Sequence, residues 1–262
     1  MNATELRGII WLHMLRLWRY KWSFLNLVIS EAMWMFIFIL GVLLFVPSEY
    51  MAVACKGAFW IIVSWLIISQ VSMTMGGWMQ FFISLGMVEE HILRGISPFK
   101  VIMGRVVPGL SVTAGTMLFM AFILNTTFKT DVTSMGNPAL ICLGLVFLMI
   151  QALSYGLILS AISVKTGIPH SMLEFTSFLI VGLLLIPIEN FQFPLNLILL
   201  AIPYVAPVNL VKDGAFGTSI LVVESVVLSL VISGIFIYLA IKFMRSAEKL
   251  IKTQGVKAIG LM

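Results

Sequence analysis

Residues 86–105, GMVEEHILRGISPFKVIMGR, bring Glu89, Glu90, His91, Arg94, Lys100 and Arg105 into one short stretch, in a chain where only 10% of residues are charged. Glu89, Glu90, His91 and Arg94 fall within about one and a half turns of a helix. Such a helix presents two carboxylates, an imidazole and a guanidinium to water and turns Val88, Ile92 and Leu93 towards the rest of the protein. Ser97-Pro98 is expected to end it, because the residue before a proline disfavours the helical region. The stretch exceeds the few residues that usually join two helices. A structured, charged elbow of this kind suits docking on a partner by charge complementarity. Gly86, Glu89, Glu90, His91, Arg94, Pro98 and Lys100 are its candidate contact residues.

The elements that hold this elbow follow from composition. The chain has 262 residues, is 61% hydrophobic and has a mean hydropathy of +1.10. Soluble domains are about half apolar and a quarter charged. Too few polar side chains remain to cover a water-facing surface, so an integral membrane protein surrounded by lipid is expected. The net charge of +5 then reads as topological, and no nucleic acid is expected as a partner. Cys55 and Cys142 form neither a disulfide framework nor a metal pattern. The N-terminus scatters charges among its apolar residues, unlike a removable signal peptide.

A span needs about 20 apolar residues. Six segments qualify: 23–46, 57–85, 106–124, 138–164, 172–188 and 219–243. The apolar stretch 191–209 is interrupted by Pro194, Pro203 and Pro207. It reads as one or two short helices that dip into the membrane and return, since irregular backbone at that depth must be covered by protein or a wet cavity. With both termini in the cytoplasm, only Lys56, Lys129 and Lys212 lie outside, against 13 of the 16 Lys and Arg inside. That bias sets the orientation and an even number of crossings. The loops at positions 131 and 213 are then outside, and positions 95 and 255 inside. The whole chain makes a single membrane domain.

The N-terminal segment has an apolar stripe of Leu6, Ile10, Met14, Leu17 and Trp18 at helical spacing. It reads either as a helix lying in the cytoplasmic interface or as a positive flank that orients the first span. Gln70, Ser72 and Thr74, with Met75, make the second span unusually polar and small. Together with Phe178 of the fifth span they are candidates to line a pathway, with packing as the competing explanation. Gly76-Gly77 allows close helix approach. Glu31 in the first span is a costly group that hydrogen bonding to a neighbouring helix would explain. Glu224 sits near the outer interface, and His170 and Glu174 read as a solvated cap. Asn125-Thr126-Thr127 matches the glycosylation triplet, a match that chance explains.

The elbow resembles the coupling segment in permeases of type-2 ABC exporters, the group sharing its fold with the G-subfamily of ABC transporters. There the loop typically reads Gly-Thr-Leu-Glu, then Pro, then Gly-Lys or Gly-Arg; here stand Gly86-Met87-Val88-Glu89, Pro98 and Gly104-Arg105. Pro98 falls later than usual, and Met87 replaces the threonine. The segment with Pro187, Pro194, Pro203 and Pro207 is similar to the family's re-entrant hairpin before the last span. The resemblance implies an all-α permease with six spans, an interfacial N-terminal helix, a cytoplasmic coupling helix and a re-entrant hairpin. It implies a second permease copy, with spans two and five facing the axis, and a separate ATPase subunit that holds the ATP and Mg. This chain would bind no cofactor, and it has no GxxxxGK[ST] loop. The cargo would be lipophilic or amphipathic.

Two other classes compete with this reading. An ion-coupled secondary carrier would need paired intramembrane charges, and Glu31 is nearly alone. An intramembrane enzyme would need a nucleophile–base pair or metal ligands at membrane depth. His13, His91 and His170 all fall in cytoplasmic or interfacial segments, and HExxH and GxSG are absent.

Overall fold

The computed structural model describes residues 3–166, 170–219 and 221–255, and every regular element among them is helical. In order they are α1 (Ala3–Arg19), α2 (Lys21–Leu43), α3 (Met51–Ser84), α4 (Met87–Leu93), α5 (Pro98–Phe128), α6 (Pro138–Thr166), α7 (His170–Leu184), α8 (Leu195–Leu200), α9 (Val205–Phe216) and α10 (Val222–Gln254). Single 3-10 turns stand at Ser48–Tyr50 and Ile188–Asn190.

Five helices are long and apolar enough to cross a membrane: α2, α3, α5, α6 and α10. The expected fifth span is shorter. α7 has 15 residues, about 22 Å at 1.5 Å per residue, against a hydrocarbon core of about 30 Å. The remainder of 172–188 turns through Leu185 into the 3-10 turn. Two other helices outrun their expected limits. α5 starts at Pro98 rather than near 106, and α10 continues past 243 to Gln254.

Those two extensions build a second core at the elbow end of the bundle. Val88 of α4, Phe99 and Ile102 of α5, Phe82 of α3, and Ala247 and Ile251 of α10 are buried together there. The larger core joins α2, α3, α5, α6, α7 and α9 through residues such as Ile39, Phe59, Leu124, Leu148, Leu184 and Val205. α3 runs through both cores, with half of its most apolar stretch buried, against 22% for α2 and α10.

Helix faces follow a membrane logic, with polar groups inward. Ser225, Ser229 and Ser233 of α10 are buried at a spacing of four, while Val223, Val227, Leu230 and Ile235 are exposed. Gln151 of α6 is fully buried. Its amide donates to the Ser229 carbonyl (3.4 Å) and the Ser233 hydroxyl (3.3 Å). Its oxygen accepts the Tyr204 N–H at 2.9 Å, a backbone group between α8 and α9 that no helix satisfies. The proline-interrupted segment does form two short helices, but α9 extends to Phe216 and is buried along nearly all its length. Irregular backbone there has the protein cover that a low-dielectric interior demands. Asp213 is buried within this region and accepts from the Thr218 hydroxyl, so it does not lie on an accessible outer loop as expected.

α1 turns much of its apolar stripe away from the protein. Trp18 is 76% exposed and Met14 also faces out, as do Trp11, Leu12 and Leu15. The face set against the protein holds Ile9 and His13 instead, with Ile9 pressed on Gly104 of α5. The side chain of Leu6 lies outside the described residues. An apolar stripe seeks lipid as readily as protein, so the polar histidine turns inward. Of the Gly76-Gly77 pair, expected to permit close approach of helices, Gly76 is buried, while Gly77 has nothing within 4 Å of where a Cβ would stand. Close approach is seen at Gly156 of α6, where that position is 2.7 Å from Met75 Sδ.

Candidate functional site

The elbow is a short helix held at both ends by glycine. Gly86 adopts φ +67° between α3 and α4, and Gly95 adopts φ +72° after α4, conformations that cost other residues roughly 1–2 kcal/mol. The Ile96 N–H donates to the His91 carbonyl and the Gly95 N–H to the Ile92 carbonyl, both at 2.9 Å, a Schellman termination. Gly95 therefore ends the helix, not Ser97-Pro98; Pro98 opens α5 as its first residue. The Gly95-Ile96 pair carried that signal in the sequence, overshadowed by the proline.

Val88 is fully buried beneath α4 and Ile92 half-buried. Leu93 turns the other way, 86% exposed, contrary to expectation. Leu85, Ile96 and the Glu90–Arg94 ion pair of the same elbow are also exposed. Glu89 is half-buried, with Oε1 3.9 Å from where a Cβ on Gly255 would lie. His91 stacks near Phe82 at 5.1 Å between ring centres, and burial lowers its proton affinity. The Ser97 hydroxyl donates to Glu248 of α10 at 2.6 Å. Pro98 is buried and Lys100 half-buried. Of the seven candidate contact residues, Gly86, Glu90 and Arg94 are exposed, and the most exposed side chain, Leu93, was not among them.

The five candidate pathway residues separate. Gln70 and Thr74, four apart on one face of α3, line a cavity of about 420 Å³ with α1, α2 and α5. Phe178 lines another, of about 430 Å³, with Trp34 and Phe38 of α2, Ile62 and Trp65 of α3 and Val181. Ser72 is buried with its hydroxyl on the carbonyl of Ile68, one turn earlier. Met75 is fully buried against Gly156. The burial of Ser72 and Met75 fits the packing alternative.

The first cavity collects residues far apart in sequence. His13, Arg16, Tyr20 and Ser23 come from the N-terminal region, Gln70, Thr74 and Trp78 from α3, and Arg105, Pro108 and Gly109 from α5. The Arg105 guanidinium lies 3.4 Å from the Trp78 ring centre, a cation–π contact. Its Nε has no hydrogen-bond partner among the described residues. His13 is held down to a pKa of about 4, first by burial and then by the charges of Arg105 and Arg16. Glu31 does not line this space; it accepts from the Thr116 hydroxyl of α5 at 3.3 Å, the interhelical bond expected for it. The side chains of His170 and Glu174 lie outside the described residues. Among those described, no group of His, Cys, Asp or Glu is placed to hold a metal.

Comparison with protein-family models, with curated proteins and with solved structures gives no match. Several long apolar helices make the chain a multi-pass membrane protein in type.

Proposed function

We propose that the chain is the membrane-spanning permease subunit of an ATP-driven exporter, placed in the cell membrane with both termini cytoplasmic. Two copies form the translocation pathway, meeting along α3 and α7, and each docks through residues 86–105 on a separate ATPase subunit that holds ATP and Mg. α7 makes the sixth crossing in spite of its length. Five crossings would put the basic residues around α10 on the opposite side from Arg7, Arg16, Arg19 and Lys21, against the charge bias. The cargo is lipophilic or amphipathic.

The observation that carries this reading is the exposed Leu93 on a helix anchored from below. Val88 ties α4 into the core shared by α3, α5 and α10, and Ser97–Glu248 links the elbow to α10. A push on α4 is delivered to the ends of three long helices, which suits rigid-body switching. An exposed leucine on the same short helix as an ion pair has the make-up of a small interface centre.

The test is co-purification of the tagged chain with the ATPase subunit. Leu93→Glu leaves every buried contact in place and is expected to abolish association and transport. The exchange Glu90→Lys with Arg94→Glu keeps the internal ion pair but reverses the surface field, and weakens association less. Unchanged transport by the Leu93→Glu chain refutes docking through α4. Cysteine labelling from outside should reach position 131 and miss position 95, both exposed; Thr218 replaces the buried position 213 as the second outer probe.

A further inference from the structure

We propose that the cavity between α1, α2, α3 and α5 binds the phosphate-type headgroup of an anionic amphiphile, held by Arg16 and Arg105. The inference does not depend on the coupling role of α4. The cavity's described lining includes two arginines and a histidine and no carboxylate. Trp78 fixes the plane of the Arg105 guanidinium without neutralising it. A cation withdrawn from water is ordinarily paired; here it faces an open space, with Nε unpartnered. The low proton affinity of His13 comes first from burial, with the charges of Arg105 and Arg16 adding to it.

Shape and position select the ligand. His13, Arg105 and Pro108 are the floor, while Arg16, Tyr20 and Ser23 at the mouth are exposed. Guanidinium groups match phosphate oxygens in fork geometry. About 420 Å³ is within the size range of small-molecule sites. Leu17, Phe24 and Leu27 give an apolar wall along which a chain can leave. The adjoining surface of α1 and α2 exposes Trp11, Trp18 and Trp22, with Lys21 Nζ 5.9 Å from the ring centres of Trp18 and Trp22. Such aromatic and basic anchors sit at headgroup depth, so the mouth opens where amphiphile headgroups lie.

The full chain in a neutral detergent is titrated with short-chain phosphatidic acid, with phosphatidylcholine of the same chains and with inorganic phosphate. Phosphatidic acid is expected to bind at least about tenfold more tightly than either. Arg16→Gln and Arg105→Gln should each weaken it by about tenfold, the scale of a charge-assisted hydrogen bond, and Arg16→Lys should retain part. Arg16 is exposed, so its variant reads the site even if Arg105→Gln disturbs folding. Equal binding of phosphatidylcholine, or undiminished binding by Arg16→Gln, overturns the proposal. Inorganic phosphate binding as tightly as phosphatidic acid overturns the amphiphile and assigns the site to a soluble anion.

Discussion

Two cavities of nearly equal volume, about 420 and 430 Å³, open on the same pair of helices, α2 and α3, and share no chemistry. One is floored by His13 and Arg105; the other is walled by Trp34, Phe38, Ile62, Trp65 and Phe178. On α3 the two sets, Gln70, Thr74 and Trp78 against Ile62 and Trp65, lie about 5–16 positions apart, roughly 8–24 Å along the axis. The basic cavity sits at the end that carries α1 and the elbow, where α1 brings His13 and Arg16. The apolar one sits where α2, α3 and α7 meet. Depth, more than shape, decides what a membrane cavity can hold, because an unpaired charge is tolerable near the interface and costly at mid-bilayer.

The sharpest way to break this contrast is to place one charge in each cavity. Phe178→Asp should cost about 2.5–3.5 kcal/mol of insertion free energy, the scale for an acidic group at a helix centre, and show as lost expression. Gln70→Asp is expected to be tolerated, because Arg105 and Arg16 can pair with the new carboxylate, and it should abolish phosphatidic acid binding. Equal loss of expression in the two variants would mean that the basic cavity offers no compensation.

A smaller effect separates the cavities by their walls. Gly104→Val drives a side chain into Ile9, an overpacking worth about 1–3 kcal/mol. α1 should lift from α5, so that a disulfide engineered between those helices no longer forms. The apolar cavity, which uses neither helix, should keep its protection from cysteine reagents. Loss of protection in both cavities would show that α1 supports the whole bundle.

The smallest effect is a pH dependence confined to the basic side. His13 is at about 4 when docked, against an ordinary value of 6.5, so the undocked helix binds more protons between those limits. Docking of α1 is strongest above about pH 6.5 and weakens as pH falls towards about 4. Crosslinking of α1 to α5 across this range should follow that course, and His13→Gln should flatten it. A wild-type profile without slope would place His13 in water.

Much of this architecture is legible in one dimension. Long apolar runs announce α2, α3, α5, α6 and α10, and the prolines announce the break into α8 and α9. The charge cluster announces α4. Hydropathy alone put α7 too long, since Leu185 and Ile186 are as apolar in a turn as in a helix. It put α10 too short, since Ala247 and Ile251 are buried between Lys242, Arg245, Lys249 and Lys252, and a window averages them away. The outward turn of Leu93 is not legible, because a single apolar residue on a seven-residue helix has no period to read.

The sequence by itself determined the membrane class, the charge asymmetry and the position of the elbow, because these depend on composition and on contiguous runs. Only the tertiary structure decided which face of each helix turns inward. In a bilayer both faces are apolar, so periodicity cannot distinguish lipid from protein. That choice separated Gln70 and Thr74 from Phe178, buried His13 and exposed Trp18, and brought Arg16 and Arg105, 89 positions apart, to one cavity. The partner of a charge in a membrane protein is set by helix packing, and packing is where the sequence is silent.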